Sequence, residues 1–357
     1  KALFLGYMIR ELLSVVGGVK SVTSRDSYLS KRVDVSGFLL GELLRNLYFR
    51  VRNHAEETLN VMYDQQKPPT LAQFHNAVEH NIGNVVNADI ISGGMSYAFK
   101  NCWGMTKTNC SRKDVVQSLE RKSFMGTVSH LRRVISPLSD SAKVRAPHSL
   151  HASSYGLMCP CETPDGAKVG IRKNLAISAH ITFQLSSEPL KRALRKYASL
   201  LETEGSVTRY AGATTIFVNE CMFGFTDKPH EIFTFMKLFK RNGMINMYTS
   251  VSFDAGENIL RVCSDSGRVV RPVFVVKRGV VTACADAAFV ASASFEELVV
   301  GRGKKWRRTE SFFEDRATGR WTVRELDAMD GGCVEFVDVT EANASLVATS
   351  PDQVRTQ

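Results

Sequence analysis

The sequence predicts a multidomain α+β chain, mainly helical in its first half and mixed α/β after about residue 183. Three observations carry that prediction. Apolar residues recur at helical spacing across 3–16 and 37–64. Short apolar runs bounded by turn residues recur after 214. The length of 357 residues, at 44% hydrophobic content, suits two or three domains.

Taken in order, 3–16 reads as a helix with apolar residues at 5, 8, 9, 12, 13 and 16, ended by Gly17-Gly18. The span 37–64 reads as a long helix whose apolar face is Phe38, Leu39, Leu43, Leu44, Leu47, Tyr48 and Val51. A loop at 66–69 follows, and 85–99, with its Gly and Asn residues, reads as irregular. Ser111 and Asp114 have capping-box spacing, so a helix is expected over about 112–122, and a second over 124–133. Residues 136–141 read as a turn-rich loop. The block 151–174 is a poor helix and a poor strand, so tertiary contacts must hold it.

Thr214 to Val218 is a strand candidate with a tight connection to Phe223-Gly224-Phe225. Asp227 before Pro229 suits an N-cap, and Ile232, Phe235, Met236 and Phe239 form the stripe of a helix stopping at Gly243. Strands are expected over 248–253, 259–263 and 269–276, with Asp265-Ser266-Gly267 as a hairpin turn. Residues 293–299 read as helix, and 334–339 and 346–349 as short strands.

Charge is uneven. Residues 1–100 carry 11 basic and 9 acidic side chains, 101–182 carry 12 and 5, and 183–357 carry 23 and 22. A basic block facing phosphates has this footprint, as does a solvated cationic face. No stretch approaches the roughly 20 apolar residues of a membrane helix, and no signal-peptide pattern is legible. Opening on Lys1 within an apolar run, the chain reads as an internal piece of something longer. The eight cysteines are scattered, with one close pair at Cys159 and Cys161, so reduced thiols and no metal site are expected.

The most specific stretch is 148–175, HSLHASSYGLMCPCETPDGAKVGIRKNL. It resembles the fork signature of second-largest (β-type) subunits of multisubunit DNA-directed RNA polymerases. The matching residues are His151, Tyr155, Gly156, Cys159, Pro160, Glu162, Thr163, Pro164, Gly166, Gly170, Asn174 and Leu175. Residues 1–8 (KALFLGYM), the segment Asp26…Tyr28…Lys31-Arg32-Val33-Asp34, the run Ser129-His130-Leu131-Arg132-Arg133 and the string 264–274 (SDSGRVVRPVF) resemble further segments of that family. The sequence departs from it at His148, where an Arg is usual, at Asp165 in place of Glu, and at Ser154.

The resemblance implies DNA-templated RNA synthesis from NTPs, performed by an assembled enzyme, with this segment inactive alone. It implies a lobe- or protrusion-like end over 1–70, a fork domain over 71–182, and external-domain-like regions over 183–278 and 279–357. The first fork loop, about 103–112, would lie near the upstream end of the RNA–DNA hybrid, and the second, about 134–147, near the point of downstream strand separation. Catalytic Mg²⁺ would be held mainly by aspartates of the largest subunit. Implied partners are that subunit and others, the DNA template, the hybrid and NTPs, in the nucleus or, for a viral enzyme, in the cytoplasm or virion.

Within that frame Arg132, Arg133, Lys143, Arg145, Arg172 and Lys173 are the nucleic-acid-proximal candidates. Cations beside a strand junction can follow phosphates without reading sequence. The fork-structuring candidates are His151, Tyr155, Gly156, Pro160, Glu162, Pro164, Asp165 and Gly166, with Glu162 and Asp165 expected to orient basic residues rather than act as acid and base. A second basic run at 302–308 reads as a solvated loop, a targeting patch or a nucleic-acid contact. An autonomous, non-catalytic nucleic-acid-binding protein is the competing reading; a hydrolase lacks a coherent nucleophile motif.

Overall fold

The computed structural model describes residues 2–66, 70–100, 103–104, 110–112, 115–138, 144–197, 200–201, 212–277, 279–282, 287–304, 322–329 and 331–355. In chain order come α1 (Ala2–Val16), α2 (Ser36–Gln66), α3 (Leu71–His80), α4 (Ile82–Val85), α5 (Asp89–Lys100), β1 (Trp103–Gly104), β2 (Cys110–Arg112), α6 (Phe124–Leu131), β3 (Arg133–Ile135), β4 (Arg172–Asn174), β5 (His180–Ile181), α7 (Glu188–Tyr197), β6 (Leu200–Leu201), β7 (Thr214–Val218), β8 (Cys221–Thr226), α8 (Pro229–Arg241), β9 (Ser250–Asp254), β10 (Ile259–Cys263), β11 (Val269–Phe274), β12 (Val276–Lys277), β13 (Val280–Val281) and β14 (Val334–Asp338). Further short helices are Ala287–Ser292, Phe295–Val300, Val323–Asp327, Val339–Asn343 and Pro351–Arg355. The chain divides into two compact units, one of 1–33, 149–160 and 175–357, the other of 34–148 and 161–174.

The second unit is built on α2. Leu39, Leu43, Leu47 and Val51, one helical turn apart, are buried, while Phe38, Leu44 and Tyr48 of the expected face are exposed. The buried stripe packs with Ala98, Trp103, Ile91, Met95 and Val116. The sequence of 85–99 reads as irregular, but Asp89–Lys100 form α5. Glycine there costs helix propensity, but a Cβ at Gly94 would lie 2.2 Å from Leu47 Cδ2, so the bare backbone is what lets α5 approach α2.

Among the described residues the helix expected over 112–122 does not form: 110–112 is strand and 115–122 is irregular, while Lys113 and Asp114 lie outside the described residues. The polar groups of 115–122 are instead taken up by α6. Glu120 N donates to His130 Nδ1 at 3.1 Å, Thr127 Oγ1 donates to Glu120 O at 2.8 Å, and His130 Nε2 donates to Gln117 Oε1 at 3.0 Å. Helix α6 is capped by Ser123, which accepts from Gly126 N, and ends at Leu131, two residues earlier than expected. Arg132 occupies its C-cap, and Arg133 begins β3 rather than closing the helix.

In the first unit, β6-β8-β7-β10-β9 form a sheet in which β10 runs parallel to β7 and the other neighbours are antiparallel. Asn219 and Glu220, both at positive φ, make the two-residue β7–β8 turn. Ile232, Met236 and Phe239 of α8 are buried with Ile216, Val218, Val251, Leu260, Val262 and the α7 residues Leu190 and Leu194; Phe235 is only partly buried. Lys228, not Asp227, stands at the N-cap of α8, with Pro229 at its first position.

A second sheet has the order β14-β11-β5. The Asp265-Ser266-Gly267 turn is therefore not a hairpin: it carries the chain from β10, whose two edges are occupied by β7 and β9, to the other sheet. Thr182 holds this crossover. Its Oγ1 donates to Asp265 O at 2.9 Å, and its backbone O accepts from Gly267 N at 2.9 Å. Residues 346–349, expected as a strand, are irregular, and Thr349 N donates to Gln353 Oε1, a side chain of the following helix.

A cluster of ionisable side chains joins α8 to β14. Lys237, Lys240 and Arg241, spaced i, i+3 and i+4 on α8, meet Glu335 of β14, and the two lysines also meet Glu341. Lys240 Nζ also donates to Phe336 O at 2.6 Å.

Candidate nucleic-acid interface

In the second unit the candidate cations gather around the β3–β4 ladder, where Arg133 faces Asn174, Val134 faces Lys173 and Ile135 faces Arg172. Directly opposed residues share a face, so Arg133, Ile135, Arg172 and Asn174 lie on one side and Val134 and Lys173 on the other. Arg132, Arg133, Arg172 and Lys173 are half-buried and Arg145 is exposed. Lys173 Nζ donates to Pro147 O at 3.3 Å. Lys143 lies outside the described residues, as do 105–109 of the first expected loop, 139–143 of the second, the loop at 67–69 and 305–308 of the other basic run.

The signature holds this ladder from behind. Asn174 Nδ2 donates to Ser129 Oγ at 2.8 Å, and the Ser129 hydroxyl donates to the Glu162 carboxylate, which ties α6, β4 and the signature together. Thr163 Oγ1 donates to Arg172 O at 3.0 Å and accepts from Gly170 N at 2.9 Å, closing the loop 164–169. Gly170 sits at φ +71° with His148 O only 2.2 Å from where a Cβ would be, so no other residue fits there. His148 Nδ1 faces Val169 O at 2.5 Å and carries the proton, since a carbonyl can only accept. Asp165, at the N-cap of the single turn Gly166–Lys168, makes no capping hydrogen bond, and Pro164 before it is half-buried.

The first unit contains the other half of the signature. His151 caps the turn Ala152–Ser154; its Nδ1 accepts from Ser153 N at 3.2 Å and from Ser153 Oγ at 2.7 Å. Ser153 Oγ in turn accepts from Tyr28 N at 2.9 Å. This serine–histidine pair is spent on building a turn. Met158 bridges Leu175, and Ala176 N donates to Leu157 O at 2.9 Å, so the chain leaves this unit after Pro160 and returns beside its point of exit. Tyr155 and Pro160 are exposed, and Arg271 lies over the Tyr155 ring. The segment expected to precede the fork and the 264–274 string meet here too: Val33 N donates to Gly267 O at 2.8 Å, and Arg32 pairs with Asp265 at 3.4 Å.

The structure thus brings Glu162 into contact with Ser129 of α6, which in turn accepts from Asn174 of β4, but divides the fork-structuring residues between two units. Ser129 and Asn174 brace the ladder together with Glu162 and were not singled out from the sequence; both lie in the matched strings, which was the available signal. Thr182 and Arg271 were missed as contacts. Among the described residues, no group of three or more His, Cys, Asp or Glu side chains is placed to hold a metal ion, and no helix is long and apolar enough to cross a membrane.

Residues 117–181 match the family described as RNA polymerase Rpb2, domain 3, and 216–277 match RNA polymerase Rpb2, domain 4. The DNA-directed RNA polymerase II subunit RPB2 of Encephalitozoon cuniculi is 33% identical over 350 residues, covering 98% of this chain and 27% of the relative. That of Meyerozyma guilliermondii is 28% identical over 356 residues, 99% of this chain and 28% of the relative. The DNA-directed RNA polymerase III subunit RPC2 of Drosophila melanogaster is 25% identical over 357 residues, with 99% and 28% covered. The chain therefore spans just over a quarter of the length of these relatives. With the signature, both domain matches and near-complete alignment to these subunits in agreement, the chain belongs to the family of second-largest subunits of DNA-directed RNA polymerases.

Proposed function

We propose that this chain serves DNA-templated RNA synthesis from NTPs as part of an assembled nuclear polymerase, shaping the cleft near downstream DNA and the RNA–DNA hybrid without completing an active site itself. The observation that carries this reading is the β3–β4 ladder, which sets Arg133 and Arg172 on one face with Arg132 at the adjoining helix end. Such cations neutralise phosphates whatever the base sequence, as a polymerase that accepts any template requires. The catalytic Mg²⁺, held mainly by aspartates of the largest subunit, would supply the charge stabilisation for phosphoryl transfer. This chain's part is to bind and orient nucleic acid beside it.

In this reading 1–70 is lobe- or protrusion-like, 71–182 is the fork, and 183–278 and 279–357 are external-domain-like. Lys143 and Arg145 extend the cationic surface along the second fork loop. The test is an elongation assay with assembled polymerase carrying Arg133→Ala and Arg172→Ala together. Templated synthesis should be weakened and fail at lower salt than in the wild type, with the largest subunit still co-purifying. Unchanged elongation from 50 to 300 mM salt would refute the assignment.

A further inference from the structure

The signature turn in the first unit is gripped by a residue 115 positions later in the chain. Arg271 lies on β11, the middle strand of its sheet, opposite Val337 of β14, so its backbone is well anchored. Its guanidinium carbon stands 5.3 Å from the centroid of the Tyr155 ring, within cation–π range. The same side chain lies against Gly156. A Cβ there would come within 2.4 Å of Arg271 Nη1 and 2.9 Å of its Cδ, and Gly156 sits at φ +72°. Stem and head of the arginine thus fill the space that any other residue at 156 would need. Tyr155 is 67% exposed, so burial does little to fix its ring.

We propose that Arg271 is a positioning residue: by clamping Tyr155 and Gly156 it fixes residues 151–160 and the Met158–Leu175 bridge, from which the chain runs out into the loop carrying Glu162, Thr163 and Arg172. This rests on the polymerase reading above. The clamp needs a planar cation and an aromatic ring. Lysine, a point charge without the flat guanidinium, does not replace the arginine, whereas phenylalanine replaces the tyrosine. A positioning residue acts through the groups it holds, so loss of the clamp acts on the rate of the assembled site and not on NTP binding.

The test uses assembled polymerase with the full subunit. Arg271→Ala should lower the maximal elongation rate by about tenfold, the scale of a small misplacement, with the KM for NTP within about twofold. Tyr155→Phe should stay near wild type and Tyr155→Leu should match Arg271→Ala. The double variant should be no slower than either single one, because both remove one interaction. Arg271→Lys, the milder change, decides the matter if Arg271→Ala does not assemble: it should assemble and elongate slowly. Wild-type rates in the arginine variants, multiplicative losses in the double variant, or a Tyr155→Phe defect equal to that of Tyr155→Leu would overturn the clamp. Wild-type enzyme that makes no templated RNA would overturn the polymerase reading and this role with it.

Discussion

Two groups of cations show how little a residue type says about its use. On α8, Lys237 and Lys240 are buried and closed off by carboxylates: Lys237 Nζ lies 2.6 Å from Glu335 Oε1, Lys240 Nζ 2.9 Å from Glu341 Oε2, and Arg241 Nε 3.1 Å from Glu335 Oε2. At the β3–β4 ladder, Arg133, Arg172 and Lys173 stay half-exposed on a two-stranded element. Ions removed from water must be matched inside the protein or they destabilise it. Ions left half in solvent escape most of that cost and contribute less to stability. The first group welds a helix to a sheet; the second is the one proposed above to face phosphate.

Breaking the buried group should have the largest effect. Lys240→Met leaves Glu341 buried with one fewer cation, and about 3–5 kcal/mol of stability should be lost, read as a shift in the urea midpoint. A loss below about 1 kcal/mol would show that the cluster is not the weld described.

The same cluster sets a pH dependence. Burial works against the charge on Glu335, but Lys240, Lys237 and Arg241 outweigh it and hold this carboxyl below the usual range. Its contribution is present above its ordinary value of 4.5 and is lost as pH falls toward the folded value. Burial pushes Glu341 the other way, up to about 7, so its share declines as pH rises from 4.5 through 7. Burial works to lower Lys237, yet Glu341 and Glu335 raise it, so its contribution persists below 10.5 and is lost only above that, as pH climbs through the folded value. Glu335→Gln should therefore be less stable at neutral pH but flatter below pH 4.5 than wild type, in urea titrations across pH. An equally steep acid limb in the variant would place the acid sensitivity elsewhere.

Gly170→Ala tests the scaffold of the β3–β4 ladder. A left-handed alanine costs about 1–3 kcal/mol, to which the close His148 carbonyl adds. Thermal melting should show the loss, and the unit containing the α8 cluster should keep its own transition.

Periodicity made α2, α8 and most strands of the larger sheet legible, because each shows one apolar stripe to a core; α1 was legible by the same spacing, although Leu5, Met8, Ile9, Leu12, Leu13 and Val16 of its stripe are exposed. It failed where a distant partner decides. Gly93 and Gly94 argue against a helix until Leu47 is seen to need the missing Cβ. Residues 115–122 lose their expected helix to the side chains of α6. The β10–β11 turn looks like a hairpin because strand order is not written locally. The candidate site was legible as a string, since its letters are contiguous, but not as a geometry: nothing in the run from His151 to Leu175 says that the chain crosses between units at Pro160 and again at Leu175. The α8 cluster had no local signal at all, because Lys237 and Glu335 are 98 positions apart.

Arg133→Ala should have the smallest effect on folding and the most informative effect on binding. The side chain is half-buried and β3 pairs through its backbone, so stability should change by no more than about 1 kcal/mol. If Arg133 neutralises one phosphate, the slope of log affinity against log salt for a DNA duplex or RNA–DNA hybrid should fall by about 1 in the assembled enzyme, uniformly across sequences. Lys277, exposed and paired with Asp327 at 2.9 Å in the other unit, is the matched control, and Lys277→Ala should leave that slope unchanged. Equal slopes for both variants would mean that accessibility alone does not mark a phosphate contact, and that the contrast between the two groups of cations concerns stability only.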